Sequence, residues 1–500
     1  MIFAKDCIKA LLKRVGTLLP SRADVGWVLA VWLAVSSCSD FLEVDVKGKA
    51  TIPSFLSDPQ GLNAALVGTY NKMYAYVDNE FTKYGDVAGN MVLMASAASS
   101  GDMVAQYNFT SDETQVTGAV GYIWRKIYVA QANANNVIEY GPQVAEAYPV
   151  QGDECRRIIG QALLIRAFCH FDQCRAYAQP YNYTPDASHL GVPVLLRTPG
   201  ANDTPERKSV SEVYQAVLSD LERAATMLTD DVAQDRHYGS LQAVRCMQAR
   251  VCLYMEDWAN ALKYAQQAIG TQQLAQDNDY LLMFSDLTHR GEAIFRLSGA
   301  KMNGYLKSFY AASAACIPSD TLLSLYDADD VRLNLLRNSV GQKLCMKYSA
   351  TVVPDNEPKR DDPILFRLSE EYLTAAEAAC QLGQYADARR YIGAIVSRAV
   401  GQTKADAVLA ATTDDQLLQL IRRERVKELC FEGHCFFDLT RWKQPVVREA
   451  STTSTAHYMA YPNDRFVLPI PQDELNANLS MQPNPTVNSG NRTASPEQEE

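Results

Sequence analysis

Apolar residues recur at helical spacing along most of this chain. After Asp58-Pro59, the residues Leu62, Ala65, Leu66, Thr69, Tyr70 and Met73 fall on one face. That spacing predicts a helix with Asp58 as its cap and Pro59 at its first position. Trp124, Ile127, Tyr128, Ala134 and Ile138 predict a second helix over 122–140, and residues 162–177 a third. The apolar run Gly191-Val192-Pro193-Val194-Leu195-Leu196 reads as extended. Ser209 and Glu212 have capping-box spacing ahead of Val213, Val217, Leu221, Ala224 and Leu228, a further helix.

Two stretches resemble single tetratricopeptide units, helix pairs of about 34 residues. In 241–270 the small residues Ala249, Ala261 and Ala268 stand where two helices must approach closely, and Glu256-Asp257-Trp258 marks the turn. In 370–399, Ala376 and Ala388 repeat the first spacing, with Gly383-Gln384-Tyr385 at the turn. Between them, over 271–360, the helical period fades and Gly291, Gly299, Gly304, Pro318, Gly341, Pro354 and Pro358 interrupt it. Phe295-Arg296-Leu297 reads as a short strand there. This insertion and the region 76–115 are expected to be loops, and loops on a rigid scaffold are where binding concentrates. The fold class is therefore mostly α, a tetratricopeptide-like helical scaffold with long irregular ligand-binding loops and a few short strands.

The N-terminus changes the picture. Lys5, Lys9, Lys13, Arg14 and Arg22 precede the apolar run from Val25 to Val35, and Ser36-Ser37-Cys38 follows. A basic start, a short apolar core and small residues before a cut make a secretory signal, and the run is too short to span a bilayer. A cysteine at the cut resembles a bacterial lipobox. Residues 1–37 are read as a lipoprotein signal, Cys38 as the acylated first residue of the mature chain, and 38–57 as the lipid-anchored linker. The remaining 463 residues carry 42 basic and 56 acidic side chains, a net of −14. No basic face is implied, which argues against nucleic acid and leaves sugars open.

Chemical signals are sparse. Cys169/Cys174, Cys246/Cys252 and Cys430/Cys435 have neither C-x-x-C spacing nor a histidine at zinc-finger distance. They read as small buried apolar residues, with some disulfides left open. The six histidines form no H-x-x-x-H. Asp327-x-Asp329-Asp330 lacks the glycine and glutamate of a calcium loop and reads better as a helix cap. No metal and no cofactor is expected. Glu424 and Glu428 share a helix face, the geometry an acid–base pair requires, but the flanking arginines would keep both ionised. No enzymatic activity is expected.

The order of motifs is similar to one family, the SusD/RagB-like outer-membrane lipoproteins. The matching blocks run from Trp124-x-x-x-Tyr128 through Leu164-Ile165-Arg166-Ala167-Phe168, Gly191-Val192-Pro193, Arg207-Lys208-Ser209 and Asp330-Val331-Arg332 to Arg367-Leu368-Ser369-Glu370. The strongest block holds Arg422, Arg425, Glu428, Glu432, Asp438, Arg441 and Trp442, read here as a structural charge lattice. Leu468-Pro469-Ile470-Pro471 and Asn484-Pro485 close the series. The resemblance covers 58–486, divided into an N-terminal part over 58–230 and a C-terminal part over 271–486, with 487–500 left as a disordered tail. It implies a cell-surface, lipid-anchored outer-membrane protein that captures oligosaccharides, or in some members peptides. It also implies delivery to a partner, a TonB-dependent transporter of the SusC type.

A carbohydrate receptor needs aromatic faces beside polar groups. The mature chain has only Trp124, Trp258 and Trp442, all in scaffold motifs. Stacking is therefore expected from Tyr76, Phe81, Tyr84, Tyr107, Phe109, Tyr305, Phe309 or Tyr310. Asn90, Asp102, Lys301, Asn303 and Lys307 would supply polar contacts. The missing loop tryptophan leaves room for a peptide ligand. An envelope glycoside hydrolase and an intracellular tetratricopeptide scaffold are the remaining alternatives.

Overall fold

Asp58 starts the first long helix as its sequence requires, its carboxylate accepting from the Gly61 amide at 2.8 Å. The computed structural model describes residues 51–95, 101–230, 235–354 and 357–486. Residues 1–37, read above as a signal, Cys38, and residues 487–500, read as a tail, lie outside the described residues. The helical scaffold lies within one compact unit that begins at Phe55.

Helix α1 (Pro59–Tyr76) does not give way to a loop. It passes through a π-turn at Val77–Phe81, kinked where Asp78 and Asn79 leave helical geometry, into α2 (Thr82–Val87). The expectation that 76–115 is loop from its start is corrected, because Val77, Phe81, Tyr84 and Val87 are all buried and keep the chain helical. Helix α3 (Ala119–Ala147) runs past the predicted end through Pro142, with Val144 buried beyond it. Helix α4 (Gly152–Tyr177) begins ten residues earlier than the apolar run suggests, since Cys155, Ile158 and Ile159 are also core. The segment 191–196 is irregular; the Leu195 carbonyl accepts from the Gln131 and Asn135 side chains. Helix α5 (Val210–Ala225) carries the Ser209–Glu212 capping box.

Helices α6 (Leu241–Tyr254) and α7 (Trp258–Ile269) form the first hairpin. Helix α8 (Asp277–Ser285) follows, then α9 (Leu368–Gln381) and α10 (Tyr385–Val400) form the second hairpin. Ala249, Ala261, Ala268, Ala376 and Ala388 are buried at the close approaches. The turns are equivalent: Gly383 has φ +73° where Glu256 has φ +59°. Helices α11 (Gln402–Ala411), α12 (Asp414–Leu429), α13 (Cys435–Arg441) and α14 (Gln472–Ala477) follow, and single turns at Ile52–Phe55, Val104–Tyr107 and Asp320–Leu323 are also helical. The molecule is mostly helical, as the spacing predicts.

Packing runs α3–α4–α5–α6–α7–α9–α10, with α1 laid on α3 and α4 and α12 on α9. The two hairpins, far apart in sequence, are therefore neighbours in one stack, and the intervening segment loops out from it. Among the described residues, three two-stranded antiparallel pairs pin the loops: β1 (Val92–Met94) with β3 (Cys316–Pro318), β2 (Ala293–Arg296) with β4 (Ile364–Arg367), and β5 (Val446–Val447) with β6 (Tyr458–Met459). The β1–β3 pair joins the 76–115 region to the insertion. All ten cysteines in the described residues are free and buried.

Candidate ligand-binding site

The charged residues of the strongest motif block fold inward. Glu428 receives Arg367 at 2.6 Å, Arg398 at 2.7 Å and Arg332 at 3.3 Å. Arg332 also pairs with Asp330 and Glu424, each at 2.7 Å, and Arg367 with Glu432 at 2.8 Å. Arg425 and Arg441 share Asp438 at 2.8 and 2.7 Å. Arg441 reaches Glu377 at 2.7 Å, where the Trp442 indole N–H donates at 2.9 Å. Half-buried Arg422 lies 3.8 Å from the same carboxylate. Three motif blocks, around Arg332, Arg367 and Glu428, thus join in one buried ionic network, and Arg425, Asp438, Arg441 and Glu377 form a second beside Arg422.

The electrostatics of this lattice oppose acid–base chemistry. Burial would raise the Glu428 carboxyl, but Arg398, Arg367 and Arg332 outweigh it and hold the group well below the usual carboxylate range. Glu424 is lowered in the same way, burial being outweighed by Arg332 and Lys427. Neither carboxylate retains a proton to give at neutral pH.

The same logic places other motifs. Arg166 grips Asp220 through two hydrogen bonds of 2.7 Å. Arg207 donates to the Gly191 carbonyl at 2.6 Å and to Asn484 Oδ1 at 2.8 Å, tying together three separate blocks. Asp330 caps a short 3₁₀ turn, Val331–Leu335, with its side chain accepting from the Arg332 amide.

A site open to solvent forms where the two loop regions meet. Lys83, Ala95, Gly101, Asp102, Tyr305, Ser308, Phe309, Ser313 and Ala315 line a pocket of about 420 Å³. Lys83 comes from α2 and Asp102 from the segment after β1; the rest of the far wall precedes β3. The Lys83 side chain is only 4% exposed, against 46% for Asp102, and the two pair at 2.7 Å. Asn79 Oδ1 accepts from the same ammonium at 2.6 Å. The ammonium sits 4.8 Å from the Phe309 ring centre and 5.9 Å from that of Tyr305. Tyr305 is 42% exposed. Its hydroxyl accepts from Asn303 Nδ2 at 3.0 Å, and its amide donates to Asp78 Oδ2 at 2.7 Å. An exposed ring, a partly open carboxylate and small neighbours make a surface that can stack a ligand and accept its hydrogen bonds.

Several expected ligand residues belong elsewhere. Tyr76, Tyr84, Tyr107 and Tyr310 are corrected to core side chains. Each is almost wholly buried, and their hydroxyls bond Asp172 at 3.1 Å, the Phe466 carbonyl at 3.4 Å, Thr452 at 2.6 Å and Asp86 at 2.7 Å. Helical continuation past Tyr76 keeps Tyr76 and Tyr84 turned inward. Phe81 and Phe109 are likewise buried. Asn90 is half-buried, 3.7 Å from Cys435 Sγ, and Lys301 is exposed; neither lines the pocket. Lys307 binds the Ala350 carbonyl. Of the expected set, Tyr305, Phe309 and Asp102 meet in one place, with Asn303 against the Tyr305 hydroxyl. Lys83 was missed, because a lysine at the start of a buried helix has no local mark of a pocket residue.

Comparison with known proteins adds three findings. Residues 252–486 match the model described as SusD family, and residues 40–253 the one described as starch-binding associating with outer membrane. A SusD-like protein of Formosa agariphila is 22% identical, with 91% of this chain and 97% of that protein covered. Crystal structures of SusD superfamily proteins from Bacteroides thetaiotaomicron and Bacteroides vulgatus share 26% and 25% identity and superpose with TM-scores of 0.74 and 0.73. Both comparisons cover 86% of this chain, and 100% and 99% of those chains.

Proposed function

The chain belongs to the SusD/RagB family, and from that premise we propose that it is a surface-exposed outer-membrane lipoprotein that captures oligosaccharides and passes them to a SusC-type TonB-dependent transporter. The observation that carries the reading is the pocket between the two loop regions. Exposed Tyr305 offers an apolar face for a sugar ring, with buried Phe309 backing the Lys83 ammonium, while Asp102 and the nearby hydroxyls of Ser308 and Ser313 offer polar contacts. Acylation at Cys38 supplies the anchor in this reading. The protein binds without altering its ligand, since Glu424 and Glu428 are held ionised by arginines in the core.

Peptide capture on the same scaffold is the second reading, favoured by the lack of tryptophan in the loops. Titration calorimetry of the purified mature chain with a polysaccharide panel and a peptide mixture separates the two. Heat from a glycan supports capture of sugars; silence across the glycans with heat from peptides overturns it. Labelled palmitate should enter the wild-type chain but not a Cys38→Ala variant, and an affinity-tagged chain should co-purify with an outer-membrane barrel.

A further inference from the structure

Lys83 and Asp102 are the charged side chains lining the pocket, and they are held very differently. The ammonium is fixed: nearly wholly buried, bonded to Asn79 and covered by the Phe309 and Tyr305 rings. The carboxylate is half in water, and among the described residues only Lys83 bonds its Oδ2. We propose that the pocket selects an acidic sugar, Asp102 occupying on Lys83 the place that the ligand's carboxylate takes. The inference rests on the oligosaccharide reading of this same pocket and deepens it to a substrate class.

The exchange is physically balanced. Asp102 swings into solvent and regains full hydration, and the ion pair it gives up on the buried ammonium is replaced by the one the ligand makes. A uronate carboxylate then meets Lys83 beneath its own sugar ring, which covers the pair and lowers the local dielectric, so the new pair is the stronger one. Two carboxylates cannot share one ammonium in so small a space without repulsion, so Asp102 leaves rather than shares. A neutral sugar has no group to replace Asp102 and must bind around it. A cationic ligand drawn to Asp102 would face the ammonium 2.7 Å away. The chain's overall negative charge acts mostly beyond the roughly 8 Å screening length of physiological salt, so the lysine decides the local sign.

The test is calorimetric titration of the whole mature chain with oligogalacturonate and with its carboxyl-reduced, neutral counterpart of equal length. Wild-type protein is expected to bind the acidic form at least tenfold more tightly. Asp102→Asn removes the competing charge and should tighten oligogalacturonate a further several-fold, widening its advantage over the reduced form. Lys83→Met should abolish the preference. A thermal melt checks that this buried substitution still folds, and half-exposed Asp102→Asn keeps the test decisive if it does not. Equal affinity for the two forms, or Asp102→Asn weakening the acidic one, overturns the inference while glycan capture stands. Binding of peptides and of neither sugar overturns both.

Discussion

Arg250 and Glu370 face each other through two parallel hydrogen bonds, Nε to Oε1 at 2.7 Å and Nη2 to Oε2 at 2.6 Å, across 120 residues of sequence. The pair joins α6 to α9, and so one helix hairpin to the next, where both side chains are out of water. Removing one partner leaves a buried charge without its close counter-ion, Glu370 keeping the more distant Arg425 at 4.0 Å. Arg250→Met or Glu370→Gln is expected to destabilise the fold by about 3–5 kcal/mol. The double substitution Arg250→Met with Glu370→Met should recover much of that loss, as denaturant melts of the three variants would show. Additive losses would mean that each residue has other, independent roles.

Gly85 on α2 touches the turn at Gly433, where φ is +75°. A Cβ on Gly85 would lie 2.2 Å from the Gly433 carbonyl oxygen, backbone that cannot step aside. Gly85→Ala is expected to cost about 1–3 kcal/mol through overpacking. Gly383→Ala meets no neighbour and pays only for its left-handed backbone, about 1–2 kcal/mol. Thermal melts should rank Gly85→Ala as the worse, and its effect should extend to the binding pocket because α2 carries Lys83.

Two groups of carboxylates pull stability in opposite directions with pH. Burial pushes Asp86 up to about 7 from an ordinary 3.8, and Asp78 moves the same way. Between about pH 4 and 7 the folded chain keeps protons that the unfolded chain has released, so each of these groups lowers stability as pH rises through that window. The slope is at most about 1.4 kcal/mol per pH unit per group. Glu377 behaves oppositely: burial is outweighed by Arg441, which holds it down to about 2. Its contribution is complete above about pH 4.5 and is lost as pH falls toward 2. Asp86→Asn should flatten the decline between pH 4 and 7 and leave the acid limb unchanged in a series of melts.

Tyr305 and Tyr76 should separate binding from folding. Tyr305→Ala is expected to weaken a bound glycan at least tenfold with little change in melting temperature, because its ring is exposed on the pocket wall. Tyr76→Phe deletes the hydrogen bond to Asp172 and should lower stability by about 1 kcal/mol without changing affinity. The reverse pattern would return Tyr76 to the ligand surface.

Much of the scaffold was legible because its signals are local. Asp58 before Pro59, Ser209 with Glu212, and the alanines of the two hairpins act on groups within one or two helical turns, so spacing alone reveals them. Helix ends were less legible. The chain passes Pro142 and begins α4 at Gly152 because neighbouring helices bury Val144, Cys155 and Ile158, which a single-helix pattern does not record.

The sequence by itself determined the helical class, the two hairpins and the ionic character of the motif around Glu428, since periodicity, caps and charge are properties of neighbouring residues. Only the tertiary structure decided which arginine answers which carboxylate, that Tyr76, Tyr84, Tyr107 and Tyr310 turn inward, and that Lys83 meets Asp102 beneath Tyr305. Those outcomes depend on strands and helices brought together from distant parts of the chain, as β1 is with β3. Burial and pairing over such separations are set by the packing of the whole molecule, and no local spacing encodes them.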